Sequence, residues 1–332
     1  MPAVRPALWL KVRETSNVIG RLPTIEVPQG VESVTIPIEG TAPTFYKVAQ
    51  ASAQDTNTLG KVTYTHTSSK LGTGQRVLSV GKLGARVAFA GELEEDSMIP
   101  WVSELRRGLE LEAGEVLESL VIDGDTDVSA TTNINHIAGT PGGTEYYLVL
   151  DGFRKLGLVT NTANSRSAGV LTLTDYLETL KLMGLGGKNA INIAAVSFIT
   201  DVHTAWKSLE IAEVQTRDVY SQPTIENGVL TSIYGREVIV SPNMHRPSAD
   251  ATYGLKTQTD GKIDQGTAAD NVCGSILAVR WDQWRLGWKR RIRFEIDRVP
   301  QADATEIIVN MRVGLNYRDT EASAISYGVT LS

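Results

Sequence analysis

A chain of 332 residues, 42% hydrophobic and 21% charged, has room for one large domain or two ordinary ones, and its formal charge of −6 argues against a protein that binds nucleic acid by neutralising phosphates. The single cysteine, Cys273, excludes an internal disulfide, and no run of about 18 apolar residues exists to span a membrane. Met1 to Arg13 lacks the long apolar core of a signal peptide, so synthesis in a cytoplasm is expected.

Prolines and glycines punctuate residues 1–40 and leave short β-type runs such as Val34 to Ile38. Such runs cannot bury a core alone, so the segment reads as an extended arm lying on something else. From Thr41 to Ala85, small polar residues alternate with β-formers: Val62 and Tyr64 share one face, Lys61, Thr63 and Thr65 the other. Turn signals at Asn57 to Gly60 and Leu71 to Gly74 complete the pattern of a long, polar, two-stranded hairpin. An isolated hairpin is marginal in water, so this one needs a neighbour; a flexible loop is the plainer alternative.

Ser97 as N-cap, Pro100 in the first turn and the carboxylates Glu92, Glu94, Glu95 and Asp96 predict the start of a long helix. Ile99, Val102, Leu105, Leu109, Ala113, Val116, Leu117 and Leu120 recur at steps of three and four, and Gly124 supplies a left-handed cap. The rod would be about 36 Å long at ~1.5 Å per residue. Asp123, Asp125 and Asp127 resemble a calcium loop, but the twelfth position, where a bidentate glutamate is needed, is Ile134. A helix-terminating turn is the better reading.

Residues 140–278 mix helices and strands. Leu173, Leu177, Leu180 and Met183 mark a helix ending at Gly186-Gly187; a strand follows at Ile191 to Ile199, a short helix at His203 to Leu209, and a strand at Val238 to Ser241 after the turn Tyr234-Gly235-Arg236. The fold class expected is α+β or α/β. Near the end, Ile292, Phe294 and Ile296 alternate with Arg291, Arg293, Glu295 and Asp297, and Ile307 to Leu315 alternate with polar residues. This predicts two long strands, each with one apolar and one charged face.

Chemistry is not legible. The histidines His66, His136, His203 and His245 lie far apart without zinc-type spacing, and no nucleophile elbow, phosphate-binding loop or cysteine pair occurs. Lys289, Arg290, Arg291 and Arg293 cluster without interleaved stacking aromatics, which favours salt bridging over nucleic-acid contact. Trp281, Trp284 and Trp288 read as packing anchors. No cofactor and no metal site is expected.

The order of these parts is similar to that of the Hong Kong 97-type major capsid proteins of tailed bacteriophages. Val87 to Asp125 resembles the family's spine helix, Val196 to Ser241 its strand–helix–strand stretch with Trp206, and Arg280 to Thr330 its closing segment. The resemblance implies an α+β capsid fold: an N-terminal arm (1–40), an E-loop hairpin (41–85), a peripheral domain (86–139 and 281–320) and an axial domain (140–280 and 321–332). It implies a non-enzymatic protein that assembles into hexamers and pentamers of an icosahedral virion shell around double-stranded DNA, without sequence-specific contact to it. Scaffolding, portal and decoration proteins are the expected partners. With no room for a scaffolding segment before the arm, that segment is either cleaved or a separate protein. The candidate inter-subunit contacts are Lys61, Lys70, Glu92, Glu94, Glu95, Arg291, Arg293, Glu295 and Asp297. Members that cross-link covalently use a lysine, an asparagine and a glutamate; here Asp303 and Asn310 stand at the latter two positions, so a non-covalent shell is expected. A nanocompartment shell of the encapsulin type, or an α/β hydrolytic or metal enzyme, are the alternatives.

Overall fold

The computed structural model describes residues 17–47, 69–92, 101–129, 131–137, 139–215, 225–226, 229–247, 254–256 and 260–331. The expected N-cap at Ser97 and Pro100 and the tip of the hairpin lie outside the described residues.

Strands β1 (Thr24–Glu26), β2 (Ser33–Thr41), β3 (Gly72–Ser79) and β4 (Gly81–Ala90) precede the long helix α1 (Trp101–Asp123). After it come β5 (Ser165–Val170), β6 (Val196–Thr200), the short β7 (Ile225–Glu226), β8 (Val229–Leu230) and β9 (Ser232–Ile233), then β10 (Arg236–Val240) and β11 (Leu255–Lys256). The chain closes with β12 (Asn271–Arg280), β13 (Trp284–Val299), β14 (Ala304–Tyr317) and β15 (Ser323–Thr330). Two sheets organise the body: a four-stranded one ordered β1-β13-β14-β4, and a mixed one ordered β5-β15-β12-β6-β10-β9 with β11 on β12.

The described part of the N-terminal segment lies on the body of the subunit. Val18 and Leu22 enter the main core at 0% and 4% exposure, and β1 pairs in parallel with Leu286 to Trp288 of β13. Pro23 and Pro28 flank β1, which limits it to a short stretch at a sheet edge, where prolines are tolerated. The hairpin departs from expectation in its register. Its ladder begins at Ser33, eight residues before Thr41, and pairs β2 with β3; residues 81–90 pair instead with β14.

The apolar stripe of α1 packs as its spacing predicts: Ala113, Leu117, Leu120 and Val121 are buried with Leu83, Met311, Val313 and Leu315 of the four-stranded sheet. Gly124 ends the helix for a different reason than a left-handed cap. Its φ is not positive; a Cβ there would lie 2.4 Å from the Leu150 carbonyl and 2.5 Å from that of Leu120.

The second sheet holds its own apolar cluster around Tyr176, Leu180, Met183, Phe198 and Ile276. The expected helix runs Leu173–Lys181 behind a Thr172–Asp175 capping box, and another runs Val202–Leu209 with Asp201 as its N-cap. The strand expected from Ile191 starts only at Val196. Ile191, at a bend, and Ile193, in a 3-10 turn, are 77% and 55% exposed. Left-handed Tyr234 and Gly235 make the tight turn between β9 and β10.

Candidate assembly surface

The hairpin is held at its base. On β13 and β14, Gly287 and Gly314 are direct cross-strand partners. A Cβ on Gly287 would meet the Leu78 side chain at 2.4 Å, and one on Gly314 the Ser79 carbonyl at 2.1 Å. The paired glycines therefore form a notch that seats β3, with Leu78 at 0% exposure. Lys289 Nζ donates to the Val31 carbonyl at 2.7 Å, and the Arg76 guanidinium lies 4.6 Å from the centre of the Tyr317 ring. Sequence reading missed both glycines, although a glycine inside a strong strand pattern signals a close backbone approach.

Beyond the notch the ribbon has little support. Val34, Ile36 and Ile38 are half-buried on one face, while Thr35, Glu39, Gln75 and Val77 are exposed on the other. Lys70 is exposed; Lys61 lies outside the described residues, as do Glu94 and Glu95.

The outer half of β13 is the second exposed element. The expected apolar face is only partly covered: Ile292 and Ile296 are 36% and 55% exposed, and Phe294 lies under the Arg106 guanidinium at 5.1 Å. On the neighbouring β14, by contrast, Ile307, Val309 and Met311 are buried. The opposite face is charged. Arg293 pairs with Glu295 at 2.9 Å, Arg86 Nε donates to Glu306 at 2.8 Å, and Arg291 approaches Glu26 at 3.9 Å. Asp297 stands directly opposite Glu306, and Glu92 is exposed at the end of β4. Of the residues marked in the sequence as inter-subunit contacts, the structure thus gathers Arg291, Arg293, Glu295 and Asp297 on one exposed strand.

Asp303 is not part of a strand; it sits at a left-handed turn with φ 42° and accepts from Arg298 at 3.0 Å. Asn310 lies on the same face as Glu306, and Glu306 is engaged by Arg86, whose guanidinium it holds above the ordinary arginine range.

The aspartates after α1 form neither a metal loop nor a simple turn. Asp123 and Arg154 pair at 2.7 Å with both side chains at 0% exposure, and Lys155 bridges Asp125 at 2.6 Å and Asp151 at 2.8 Å. Burial alone would lower the Lys155 pKa, but its bonds to Asp125 and Asp151 outweigh this and raise it. Asp123 also accepts from the His245 backbone at 2.6 Å, and Glu118 of α1 accepts from Ser241 Oγ at 2.6 Å. Arg246 reaches both Glu112 and Glu115 of the helix. This junction ties the long helix to the second sheet through charges that the sequence does not pair. His245 Nε2 lies 3.1 Å from Ser275 Oγ, a base beside a hydroxyl, but both residues are sealed from solvent at 1% and 0% exposure. Among the described residues no group of three or more His, Cys, Asp and Glu could hold a metal ion, and no helix is long and apolar enough to cross a membrane.

The decisive likeness is structural. The capsid of a native GTA particle matches with a TM-score of 0.65 at 12% identity, over 99% of this chain and 95% of that one. The chain has a phage-capsid fold. A structure from Microbacterium phage Oxtober96 matches over 99% of this chain and 95% of that one (TM-score 0.62, 14% identity). The mature capsid of bacteriophage PhiM1 matches over 98% and 91% (TM-score 0.61, 8% identity). No family model matches the sequence, and no curated protein matches it. At these identities the shared property is the α+β fold, carried almost end to end.

Proposed function

We propose that this protein is the major capsid protein of a tailed bacteriophage or a close relative, a structural subunit that self-assembles into the hexamers and pentamers of an icosahedral shell around double-stranded DNA. The observation that carries this reading is the likeness to capsid chains over 99% of the length. A ribbon whose described contacts with the body lie at its base and a charged strand left exposed on both faces fit it: each is unsatisfied in a monomer and satisfied between copies.

In this reading β2 and β3 are the E-loop, α1 with β4, β13 and β14 the peripheral domain, and the second sheet the axial domain. The protein is made in the host cytoplasm and resides in the virion. It packages DNA without reading its sequence and works with portal and decoration proteins and with a scaffold that is either a cleaved segment of the chain or a separate protein. Nothing among the described residues favours a nanocompartment shell or an α/β enzyme over this role.

Negative-stain electron microscopy of purified protein over a range of ionic strength tests the proposal. Shells, rings or tubes are expected; a compact monomer under every condition overturns it. Mature particles run on a denaturing gel are expected to give one band at the monomer mass, and a ladder of covalent oligomers would sink the non-covalent part.

A further inference from the structure

A polar cavity of about 300 Å³ lies at the base of the hairpin, between β3, the end of β14 and the loops that carry Thr126 and Asp151. Two of its lining residues hold buried hydrogen-bond donors that meet no acceptor among the described residues, Arg76 Nε and Asn316 Nδ2. Turning the Asn316 amide round does not remove its orphan. Its Oδ1 accepts from the Tyr317 backbone N–H at 2.8 Å, so the nitrogen is the end left over, on a residue only 9% exposed. Arg76 forms no ion pair with a described residue; its guanidinium lies on the face of the Tyr317 ring, which leaves the Nε–H unused. An unmet buried donor carries its full desolvation cost, and two in one cavity call for an acceptor there. Asp151 brings a carboxylate to the same cavity. Its Oδ1 accepts from the Thr126 backbone at 2.9 Å and from Thr126 Oγ1 and Lys155 Nζ at 2.8 Å, while its Oδ2 takes no bond from a described residue. Burial alone would raise the Asp151 pKa, but the bonds from Lys155 and Thr126 outweigh this and lower it, so at neutral pH this carboxylate only accepts.

We propose that this cavity is a binding site for inorganic phosphate in its protonated forms, with Arg76 and Asn316 donating to its oxygens and its P–OH donating to Asp151 Oδ2. The ligand must accept two hydrogen bonds, one of them from a cation, which calls for an oxyanion. It must also offer a proton to a carboxylate. Near neutral pH phosphate keeps at least one proton, whereas sulfate and the phosphodiesters of DNA have none to give and are repelled by Asp151. Arg76 stands on the ribbon, Asn316 and Asp151 on the body, so one bound ion ties the two together and makes the ribbon's seat depend on phosphate. The site is complete within one chain and stands or falls apart from the shell reading.

Calorimetric titration of the full chain with sodium phosphate at neutral pH, against sodium sulfate at matched ionic strength, tests this. Phosphate is expected to bind saturably, one ion per chain, and sulfate at least about tenfold more weakly. Arg76→Gln removes the charge and should still melt cooperatively, yet bind phosphate at least about tenfold more weakly than the unaltered chain. Asp151→Asn gives a readout that a merely structural role would not move. A carboxamide can donate where the carboxylate could not, so this variant should gain sulfate binding and lose the preference for phosphate. Phosphate should also slow proteolytic cleavage at residues 72–79 in the unaltered chain but not in Arg76→Gln. An absence of saturable phosphate binding refutes the site and leaves both donors to water. Equal affinity of the unaltered chain for phosphate and sulfate refutes it too, as does undiminished phosphate binding by Arg76→Gln. Competition by a short DNA duplex at matched ionic strength would assign the cavity to nucleic acid and likewise overturn the proposal.

Discussion

Asp123 with Arg154 at the end of the long helix, and Arg293 with Glu295 on β13, are both carboxylate–guanidinium pairs, 2.7 Å and 2.9 Å apart. The first pair has both side chains at 0% exposure; the second stands at 61% and 45%. Buried charge must be fully matched at the moment of folding, because the desolvation cost of each ion is several kcal/mol. Arg154 is matched by Asp123, by the Gly261 carbonyl at 3.0 Å, and by Asn135. Exposed charge has no such requirement, since water serves it until another surface arrives. The same chemistry therefore fixes the subunit's shape at one end and leaves the other end available for association.

The contrast breaks most sharply at Arg154. Arg154→Met removes one partner of a sealed pair and is expected to cost about 3–5 kcal/mol of stability in urea unfolding. Next in size is the notch. Gly314→Val drives a side chain into the Ser79 carbonyl, 2.1 Å from where its Cβ would sit, and is expected to destabilise the subunit by about 1–3 kcal/mol. Limited proteolysis should show cleavage near residues 72–79 rising relative to the body, because the ribbon loses its seat.

A smaller effect comes from His245. Complete burial holds its imidazole below the usual histidine range, against the opposing pull of Asp123 and Asp201, with Arg154 adding to the depression. Its folded-state pKa is therefore lower than its unfolded one, and the unfolded chain takes up the proton first as pH falls. Stability from the neutral ring is present above about pH 6.5 and is lost as pH drops below it, by at most about 1.4 kcal/mol per pH unit. His245 has φ 61°, so asparagine, which tolerates the left-handed region, is the gentlest replacement. His245→Asn should flatten the urea midpoint between pH 7.5 and 5.5; an unchanged slope would remove His245 as its source. At the exposed end, Arg293→Gln should alter subunit stability by no more than about 0.5 kcal/mol, measured in the same unfolding experiment.

Local patterns in the sequence carried well where one element decides its own form. The three- and four-residue steps from Leu109 to Leu120, the alternation from Ile307 to Leu315, and the Tyr234-Gly235 turn all read correctly, because periodicity and φ preference are properties of a few neighbouring residues. What was illegible depends on register between distant segments. Gly287 and Gly314 looked like ordinary strand positions until their pairing opposed them under Leu78. Asp123 and Asp125 looked like turn residues because nothing in their own stretch names Arg154 and Lys155 as partners.

The pairing of β1 with β13 also sets an order of manufacture. Thr24 meets Leu286, about 260 residues further along the chain, and the notch that seats the hairpin needs Gly314 as well. At a ribosomal pace of about 5–20 residues per second, the N-terminal segment and the ribbon emerge on the order of tens of seconds before their seats exist. A nascent or truncated chain therefore cannot present the ribbon in its working orientation. Only a chain completed through its last long strands acquires that geometry, which keeps unfinished products out of whatever lattice the finished ones build.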